Sequence, residues 1–498
     1  MLKNIDLQKL LNLFVYDPSD PLVFSTTLFL FFFFIFLAIY YLLKSRSSRI
    51  YAVIIFSLFF YYKAAGFYFL LLVFTSVINY YAGNWIGNSQ NQTKRKLVFI
   101  AALILNLGIL AYFKYTNFFL QIVSDLHLGP ARSLDIFLPI GISFFTFKAL
   151  SYVIEIYFEI MEPVKSFRDF SFFVVFFPNL LMGPIDRAAA FLPQVERENE
   201  VTQSMMGEAL FLILCGLFKK VVIADYISLN FIDRVFEIPT RFTGVENLLA
   251  IYGYAIQIYC DFSGYTDMAL GVALLMGFRL MDNFNRPFQA SSVAEYWRRW
   301  HISLSTWLLD YLFKPLQMKL RNLRLFGSAL ALLITFVAVG LWHGPAWTFV
   351  LFGVLHSIFL IFSLFTQKYR KMFYDKVGLS GTRTLKFFQI LFTFHLVVFS
   401  VVLFRASSFQ LALDMYRQIF TYFHGEVFLQ FVPSYMNVFG LMILGYLLHF
   451  TPKSWEFKTR EMLTNTPLVA QALIFAIMIY VAAQVKSADL QPFLYFKY

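Results

Sequence analysis

The stretch FSTTLFLFFFFIFLAIYYLL (24–43) carries no charged residue over a length that matches the hydrocarbon core of a bilayer, which a helix of about 20 residues crosses. Several similar apolar runs follow it along the 498 residues. Hydrophobic residues make up 59% of the chain and charged residues only 14%, whereas a soluble domain has about 25% charged residues. The runs are continuous and do not alternate as in a membrane β-barrel, so they predict an all-α polytopic membrane protein.

Two basic loops orient the predicted helices. KSRSSR (44–49) follows the first run, and TKRK (93–96) comes after two further runs, so both loops fall on one side. By the positive-inside rule that side is the cytoplasm, and the N-terminus is predicted outside. We expect about 11–13 spans, together with re-entrant or interfacial helices. The net charge of +12 then reflects basic loops facing membrane lipid, and nucleic-acid binding is not expected.

The chain shows no polar stretch long enough for a separate soluble domain and no internal repeat. We therefore predict a single membrane domain over 1–498, with its core at 24–450 and a C-terminal tail at 485–498. The two cysteines have neither metal-binding nor disulfide spacing, which excludes a cysteine-based acyl relay. No cluster of metal-ligand residues is evident, so no metal site is predicted.

Charged residues interrupt the apolar run ISFFTFKALSYVIEIYF (142–158). Lys148, Tyr152 and Glu155 fall at i, i+4 and i+7, which is one stripe of a helix. A charge in hydrocarbon is costly and usually faces a partner or a cavity. The stripe therefore indicates either a Lys148–Glu155 pair that neutralises itself or the lining of a polar tunnel.

Two other segments read as helix breaks within the membrane. FFPNLLMGPIDR (176–187) contains two prolines and a glycine, and IYCDFSGYTDMALGVALLMGF (258–278) contains a polar cluster around a glycine. Broken backbone at membrane depth occurs only where protein or a water-filled cavity covers it. In the second segment, Asp261 and Tyr265 share a face, so they either line an interior site or belong to a structural break.

The segment EYWRRWHISLSTWLLDYL (295–312) is too charged for an ordinary span. If it is helical, Trp297, His301 and Ser305 line one face, with Arg298 near His301. We expect an interfacial or re-entrant helix whose tryptophans anchor at the headgroup level. Its arginines could hold phosphate groups, of lipid or of a nucleotide-bearing substrate.

A second histidine lies at a hinge. His343 ends an apolar helix beside Trp342, and Gly344 and Pro345 follow it, so a cavity could open there. Its imidazole could act as a general base towards a hydroxyl. Single histidines on other apolar helices read as hydrogen-bonded core residues: His356, His395 and His449.

Five blocks in this order carry a resemblance to a known family. They are LPIGISFFTFKALSYVIEIY (138–157), FFPNLLMGPIDR (176–187), DFSGYTDMALGVALLMGF (261–278), NFNRPFQASSVAEYWRRWHISLSTWLLDYLFKPL (283–316) and GLWHGPAWTFVLFGVLHS (340–357). Together they resemble the membrane-bound O-acyltransferase family, in the branch of alginate and peptidoglycan O-acetyltransferases and D-alanyl-lipoteichoic-acid transferases. The resemblance covers roughly residues 24–450, and it implies a bacterial inner-membrane protein.

The resemblance implies a fold and a site. The fold is a ring of membrane helices around a thin centre, with a funnel on one side and a tunnel to the other. The catalytic residue would be His343, and His301 would be the second residue, which orients the acyl carbonyl or stabilises the oxyanion. The candidates for lining the site or the tunnel are Trp297, Arg298, Ser305, Trp342, Asp261, Tyr265, Lys148 and Glu155.

The implied reaction moves an acyl group, expected to be acetyl, from a cytoplasmic thioester to a polysaccharide outside. No cofactor is bound, and the donor is acetyl-CoA or a carrier-protein thioester; a D-alanyl group is the alternative. The acceptor would be reached through a periplasmic O-acetyltransferase of the SGNH type. Residues outside the histidine motifs differ from relatives, including Pro345, and leave the acceptor preference open.

The tail ends in QPFLYFKY (491–498), and relatives often end in a similar aromatic motif. Tyr495 would then either take the acyl group before the partner does or serve as an aromatic membrane anchor. A transporter or flippase is the rival class. It predicts inverted repeats, which the sequence lacks, and it has no use for both histidine motifs.

Overall fold

The computed structural model describes residues 11–18, 21–130 and 132–485. The chain divides into two compact units. One comprises Met1–Ile213 and Met268–Met281, and the other comprises Leu214–Asp267 and Asp282–Tyr498. The described residues are helical, with no strand among them, as the sequence predicts for an all-α membrane protein.

Helices of the first unit begin behind polar caps. The hydroxyl of Thr26 accepts from the N–H of Phe29, and that of Ser45 accepts from Ser48, each at 3.1 Å. The helices are α1 (Thr27–Leu42), α2 (Arg46–Ala65), α3 (Phe69–Asn88), α4 (Gln92–Asp125), α5 (Ile142–Tyr157), α6 (Phe167–Val175), α7 (Ala188–Val195) and α8 (Gln203–Leu217), the last of which ends in the second unit.

Helices α3, α4 and α5 pack on one another. Buried Asn79 of α3 and Asn106 of α4 exchange two amide hydrogen bonds of 2.9 and 3.0 Å. Gly83 lets the Tyr152 ring approach α3 closely, since a Cβ at this position would overlap that ring. The Tyr152 hydroxyl accepts from the N–H of Val164 at 3.1 Å, so this member of the predicted polar stripe has a structural role.

The second unit contains the two histidine motifs. After the π-helical turns Phe218–Asp225 and Ser228–Ile232 come α9 (Asp233–Glu237), α10 (Gly244–Leu274), α11 (Val293–Trp297), α12 (Ile302–Leu308), α13 (Lys314–Lys319), α14 (Arg324–His343), α15 (Trp347–Lys376), α16 (Arg383–Arg405), α17 (Phe409–Thr421), α18 (Phe428–Ser434), α19 (Met436–Phe450), α20 (Lys453–Asn465) and α21 (Leu468–Val485). The last residues of α10 belong to the first unit.

Glycines set the packing of α14 on α15. A Cβ at Gly340 would overlap the carbonyl oxygen of Phe349, and one at Gly353 would overlap that of Phe336. The two backbones can therefore meet only because these positions lack side chains, as in other small-residue contacts between membrane helices.

Five helical segments of the described chain are long and apolar enough to cross a membrane: Arg46–Asn88, Gln92–Asp125, Arg321–His343, Trp347–Lys376 and Arg383–Arg405. A sixth results if Gly425–Ser434 and Met436–Phe450, bent by 96°, form one span. The expected 11–13 spans are not reached by this measure, because other apolar runs are short, broken or interrupted by polar residues.

The predicted break at 176–187 is confirmed. The backbone leaves the helix after Val175, turns through a 3-10 segment at Phe177–Asn179 and stays irregular up to α7. Nearly all of it is buried in protein, as irregular backbone in a membrane protein must be.

The predicted break in 258–278 is wrong, since α10 runs through its polar cluster. Gly264 serves close packing instead of a break: a Cβ there would lie 2.8 Å from the carbonyl oxygen of Gly216. Asp261 and Tyr265 therefore lie one turn apart on a continuous helix, and both are buried.

Candidate active site

His301 sits in a short backbone pairing and not on a helix face. Two backbone hydrogen bonds, of 2.9 and 3.0 Å, join the segments 283–285 and 299–302. Within this pairing His301 takes a left-handed φ of 45° and caps α12. The expected helical face of Trp297, His301 and Ser305 is wrong, because α11 ends at Trp297 and α12 begins only at Ile302.

The ring of His301 is wholly buried and held by an amide. Its Nδ1 lies 3.1 Å from Oδ1 of Asn283. The same oxygen accepts from the N–H of Ser303 at 3.2 Å and from its hydroxyl at 2.9 Å. Phe262 of α10 packs edge-on against the ring at a centroid distance of 4.7 Å. The position and rotation of this imidazole are thus fixed on several sides.

His343 is the last residue of α14, and its side chain is 3% exposed. Gly344 after it is fully extended, the conformation that a following proline favours, so the helix ends there. Phe404, near the end of α16, packs against the imidazole at 4.9 Å. The sequence prediction that the apolar helix ends at His343 is confirmed, and both His343 and Gly344 are buried.

Trp342 contacts both histidines. Its ring centroid lies 5.4 Å from that of His301 and 5.0 Å from that of His343, at interplanar angles of 66° and 81°. The two imidazoles belong to segments about 40 residues apart in the sequence. Both contact the same tryptophan in a buried aromatic environment. A histidine pair in such a place can accept and return a proton while water is excluded.

A third buried histidine, His356, serves structure. Its Nδ1 accepts from the indole N–H of Trp297 at 3.1 Å, and its Nε2 lies 2.9 Å from the hydroxyl of Ser400. That hydroxyl itself donates to the carbonyl of Val397 at 2.7 Å, so the Nε2–H of His356 must be the donor towards Ser400. The prediction of a hydrogen-bonded core histidine is confirmed, and both ring nitrogens are in use.

The tryptophans of 295–312 are buried in the protein and do not project as headgroup anchors. Trp297 donates to His356, which places this predicted lining residue in the supporting network. Trp300 stacks on Tyr296 at 5.7 Å. The expected anchoring role is wrong because this segment folds into short helices packed among others, with each indole covered.

The two arginines of this segment lie in different environments. Arg299 forms a salt bridge with Glu295 at 2.6 Å, which leaves Arg298 as the exposed one. Burial acts to raise the pKa of Glu295, but hydrogen bonds from Ser291 and from Arg299 outweigh it and hold that pKa below its usual value. Ser305, the other candidate beside His301, donates instead to the carbonyl of Trp300 at 3.2 Å.

Buried charges on α10 are paired with the π-helical turn. Lys220 lies 2.7 Å from Asp261 and 2.8 Å from Asp225, and Lys219 lies 2.6 Å from Asp267. Consecutive lysines reach different carboxylates of one long helix, and the acidic groups of the predicted polar cluster are thereby neutralised. These contacts favour the structural interpretation of Asp261 over a direct role at a site.

Lys148 does not pair with Glu155. Its ammonium donates to Oδ1 of Asn179 at 2.6 Å, and the amide of Asn179 donates to Asp186 at 2.7 Å. Glu155 accepts from the N–H of Ala189 in the first turn of α7 at 2.8 Å. The expected pair is wrong because residues i and i+7 are about 10 Å apart along a helix, and the break at 176–187 offers nearer partners.

Sequence reasoning missed Asn283, Phe262 and Phe404, which contact the two histidines. Asn283 is the first residue of the block NFNRPF, but the sequence gives no sign that its side chain contacts residue 301. Among the residues that the structure describes, no group of three or more His, Cys, Asp or Glu side chains could hold a metal ion. Tyr495 lies outside the described residues.

Comparisons with known proteins identify the family of the chain. The model of the membrane-bound O-acyltransferase family matches residues 22–409. The probable alginate O-acetylase AlgI of Pseudomonas aeruginosa is 36% identical over 353 residues, which cover 70% of this chain and 65% of that relative. The peptidoglycan O-acetyltransferase of Helicobacter pylori is 32% identical, over 68% of each chain.

A third relative has a different acyl group in its name. The teichoic acid D-alanyltransferase of Bacillus subtilis is 30% identical over 287 residues, which cover 56% of this chain and 71% of the relative. The region that the family model matches, residues 22–409, contains both histidine motifs and the helices that hold them. The resemblance inferred from the five sequence blocks is confirmed, and the chain belongs to the membrane-bound O-acyltransferase family.

Proposed function

We propose that this protein transfers an acyl group from a cytoplasmic thioester to an extracytoplasmic polysaccharide. The proposed acyl group is acetyl. The observation that carries the proposal is the contact of His301 and His343 with one buried tryptophan. The names of the relatives support it, since two are O-acetylating enzymes of polymers and one transfers D-alanine.

His343 is the base in the proposed mechanism. It takes the proton of the attacking hydroxyl as that oxygen bonds to the thioester carbonyl carbon. When the tetrahedral intermediate collapses, the carbon–sulfur bond breaks, and the imidazolium returns the proton to the leaving thiolate. His301 acts on the same reacting groups, and the aromatic surroundings of Phe262, Trp342 and Phe404 keep water from hydrolysing the thioester.

The donor is proposed to be acetyl-CoA, with a carrier-protein thioester as the alternative. The alternative draws on the D-alanyltransferase relative. The two donors predict different products, because the ester that forms on the polymer releases either acetate or D-alanine on mild base treatment. Orientation is part of the proposal: the bacterial inner membrane, with the N-terminus outside and the loop 44–49 in the cytoplasm.

A periplasmic O-acetyltransferase of the SGNH type is the proposed partner. The proposal draws on the alginate and peptidoglycan relatives, whose names give polymeric acceptors. In this scheme Tyr495 takes the acyl group at the outer face and passes it on. Tyr495→Phe should then abolish ester formation, whereas an anchor role would leave the rate unchanged at equal membrane levels.

The testing experiment measures base-labile acyl groups on cell-surface glycans by mass spectrometry. The variants are His343→Gln and His301→Ala, each brought to the membrane level of the wild type. His424→Ala is the matched control, because His424 is exposed and pairs with Glu426 outside the site. We expect both site variants to lose the ester and the control to keep it.

The identity of the released acid names the acyl group. Full ester in both site variants would overturn the enzyme proposal and favour a transporter or a scaffold. Loss in His424→Ala to the same degree would show that the assay reports histidine loss in general and would equally count against the assigned site.

A further inference from the structure

The contacts of Asn283 determine which nitrogen of His301 carries hydrogen. The backbone N–H of Ser303 can only donate, and it lies 3.2 Å from one atom of the Asn283 amide, so this atom is the oxygen. The same oxygen lies 3.1 Å from Nδ1 of His301. Because an amide oxygen only accepts, Nδ1 must be the protonated nitrogen. In the neutral ring, Nε2 then carries the lone pair.

We propose that Asn283 is a positioning residue that acts through His301: it fixes the rotation of the ring and its Nδ1–H tautomer, so that Nε2 accepts a hydrogen bond at the reacting centre. The inference rests on the proposed acyl transfer, and it assigns a direction to the second histidine. It narrows the expectation that His301 orients the acyl carbonyl or stabilises the oxyanion, because the neutral ring has no hydrogen on Nε2 to donate.

The backbone makes this arrangement specific. Asn283 is 1% exposed and belongs to the segment 283–285, which pairs with 299–302. His301 is held in a left-handed conformation, which is energetically unfavourable for a residue other than glycine. Such a conformation persists only where the surroundings fix it, and here it brings Nδ1 to the amide oxygen.

Neighbouring side chains leave the ring little freedom. Phe262 lies edge-on at 4.7 Å and Trp342 at 5.4 Å, so a ring flip would have to displace both. A flip would also put the ring carbon Cδ2 in place of Nδ1 against Asn283, and the hydrogen bond to the amide oxygen would be lost. The aromatic contacts hold the plane of the imidazole, and the amide selects which edge faces the protein.

The chemical consequence concerns the acceptor hydroxyl. A lone pair at Nε2 can accept the hydrogen bond of that hydroxyl and orient its oxygen towards the thioester carbon. Proton removal by His343 and orientation by His301 then act on one hydroxyl group, and both histidines contact Trp342. His301 would stabilise the oxyanion only after it had itself taken a proton.

The test is a double-mutant cycle on the initial rate of acyl ester formation on cell-surface glycans after induced expression. The variants are Asn283→Ala, His301→Ala and the double variant, at equal membrane levels. We expect Asn283→Ala to slow the reaction by about 10- to 100-fold, as loss of a residue that orients a functional histidine does. The double variant should be no slower than His301→Ala, because Asn283 acts only through the ring.

Two further variants separate positioning from local folding. Ser303→Ala removes another donor to the same oxygen and leaves the His301 contact in place, so it should keep nearly the wild-type rate. Asn283→Asp retains an acceptor at this position and should be faster than Asn283→Ala. If Asn283→Ala does not accumulate in the membrane, the rate of Asn283→Asp still tests the inference.

Three results would overturn the inference: a wild-type rate in Asn283→Ala, losses that multiply in the double variant, or Ser303→Ala as slow as Asn283→Ala. These outcomes differ from a failure of the proposed function. If His343→Gln and His301→Ala both keep the wild-type rate, acyl transfer at this site is wrong. If only Asn283→Ala does so, the positioning role alone is wrong.

Discussion

The hydrogen bond from Trp297 to His356 predicts a loss of stability without a matching loss of catalysis. Trp297→Phe removes the indole N–H and leaves the buried Nδ1 of His356 without its 3.1 Å donor. An unsatisfied buried acceptor costs about 1–3 kcal/mol. The smaller ring also leaves a cavity, which adds roughly 1 kcal/mol at about 24 cal/mol per Å³. We expect a free energy of unfolding lower by about 2–4 kcal/mol.

The assay is reversible unfolding of the purified protein in mixed micelles by SDS titration, together with the rate of ester formation per folded molecule. Trp347→Phe is the matched control, because Trp347 is 55% exposed; its unfolding free energy should change by less than about 0.5 kcal/mol. The rate per folded molecule should stay near the wild-type value in both variants.

Unchanged unfolding of Trp297→Phe would refute the argument, since the buried acceptor would then have lost nothing. A large loss of rate at unchanged stability would also refute it and would return Trp297 to the lining of the site, where the sequence placed it.

Three further perturbations test the packing of the fold. Gly353→Val should prevent α15 from approaching α14 and lower the folded yield, measured by size-exclusion profile, whereas Gly440→Val, at a position with open space, should not. Lys220→Met should destabilise the protein by about 3–5 kcal/mol in the SDS titration, because it leaves two carboxylates near a buried position without their cation. Asn79→Leu should cost about 1–3 kcal/mol, while the double change with Asn106→Leu should recover part of this loss, because no buried amide is then left without its partner.

Apolar runs and proline-containing breaks could be predicted from the sequence, because they follow from local physics. A run without charge must be helical if it is to satisfy its backbone in lipid, and two prolines with a glycine in 176–187 cannot continue a helix. The same reasoning failed for 258–278. There the polar cluster signalled a break, but its acids are neutralised by Lys219 and Lys220 and its Gly264 permits close packing. Those partners lie about 40 residues earlier, so no local pattern reveals them.

The site was predictable as residue types and not as geometry. Both histidines stood out by their motifs, and the structure places both against Trp342. The prediction of a helical face for His301 was wrong, because it assumed that one helix continues through 295–312. A nonlocal pairing with 283–285 ends the helix, turns the backbone at His301 and brings in Asn283.

The contrast between His356 and His301 shows what burial alone leaves undecided. Both rings are completely buried, and each contacts a tryptophan. In His356, one nitrogen accepts from Trp297 and the other donates to Ser400, so the ring is committed to structure. In His301, the amide of Asn283 engages Nδ1, and the proposal assigns Nε2 to the reacting groups. On the proposed mechanism, a catalytic histidine is therefore distinguished by how its two nitrogens are divided between the protein and the reacting groups, and that division depends on residues distant in sequence.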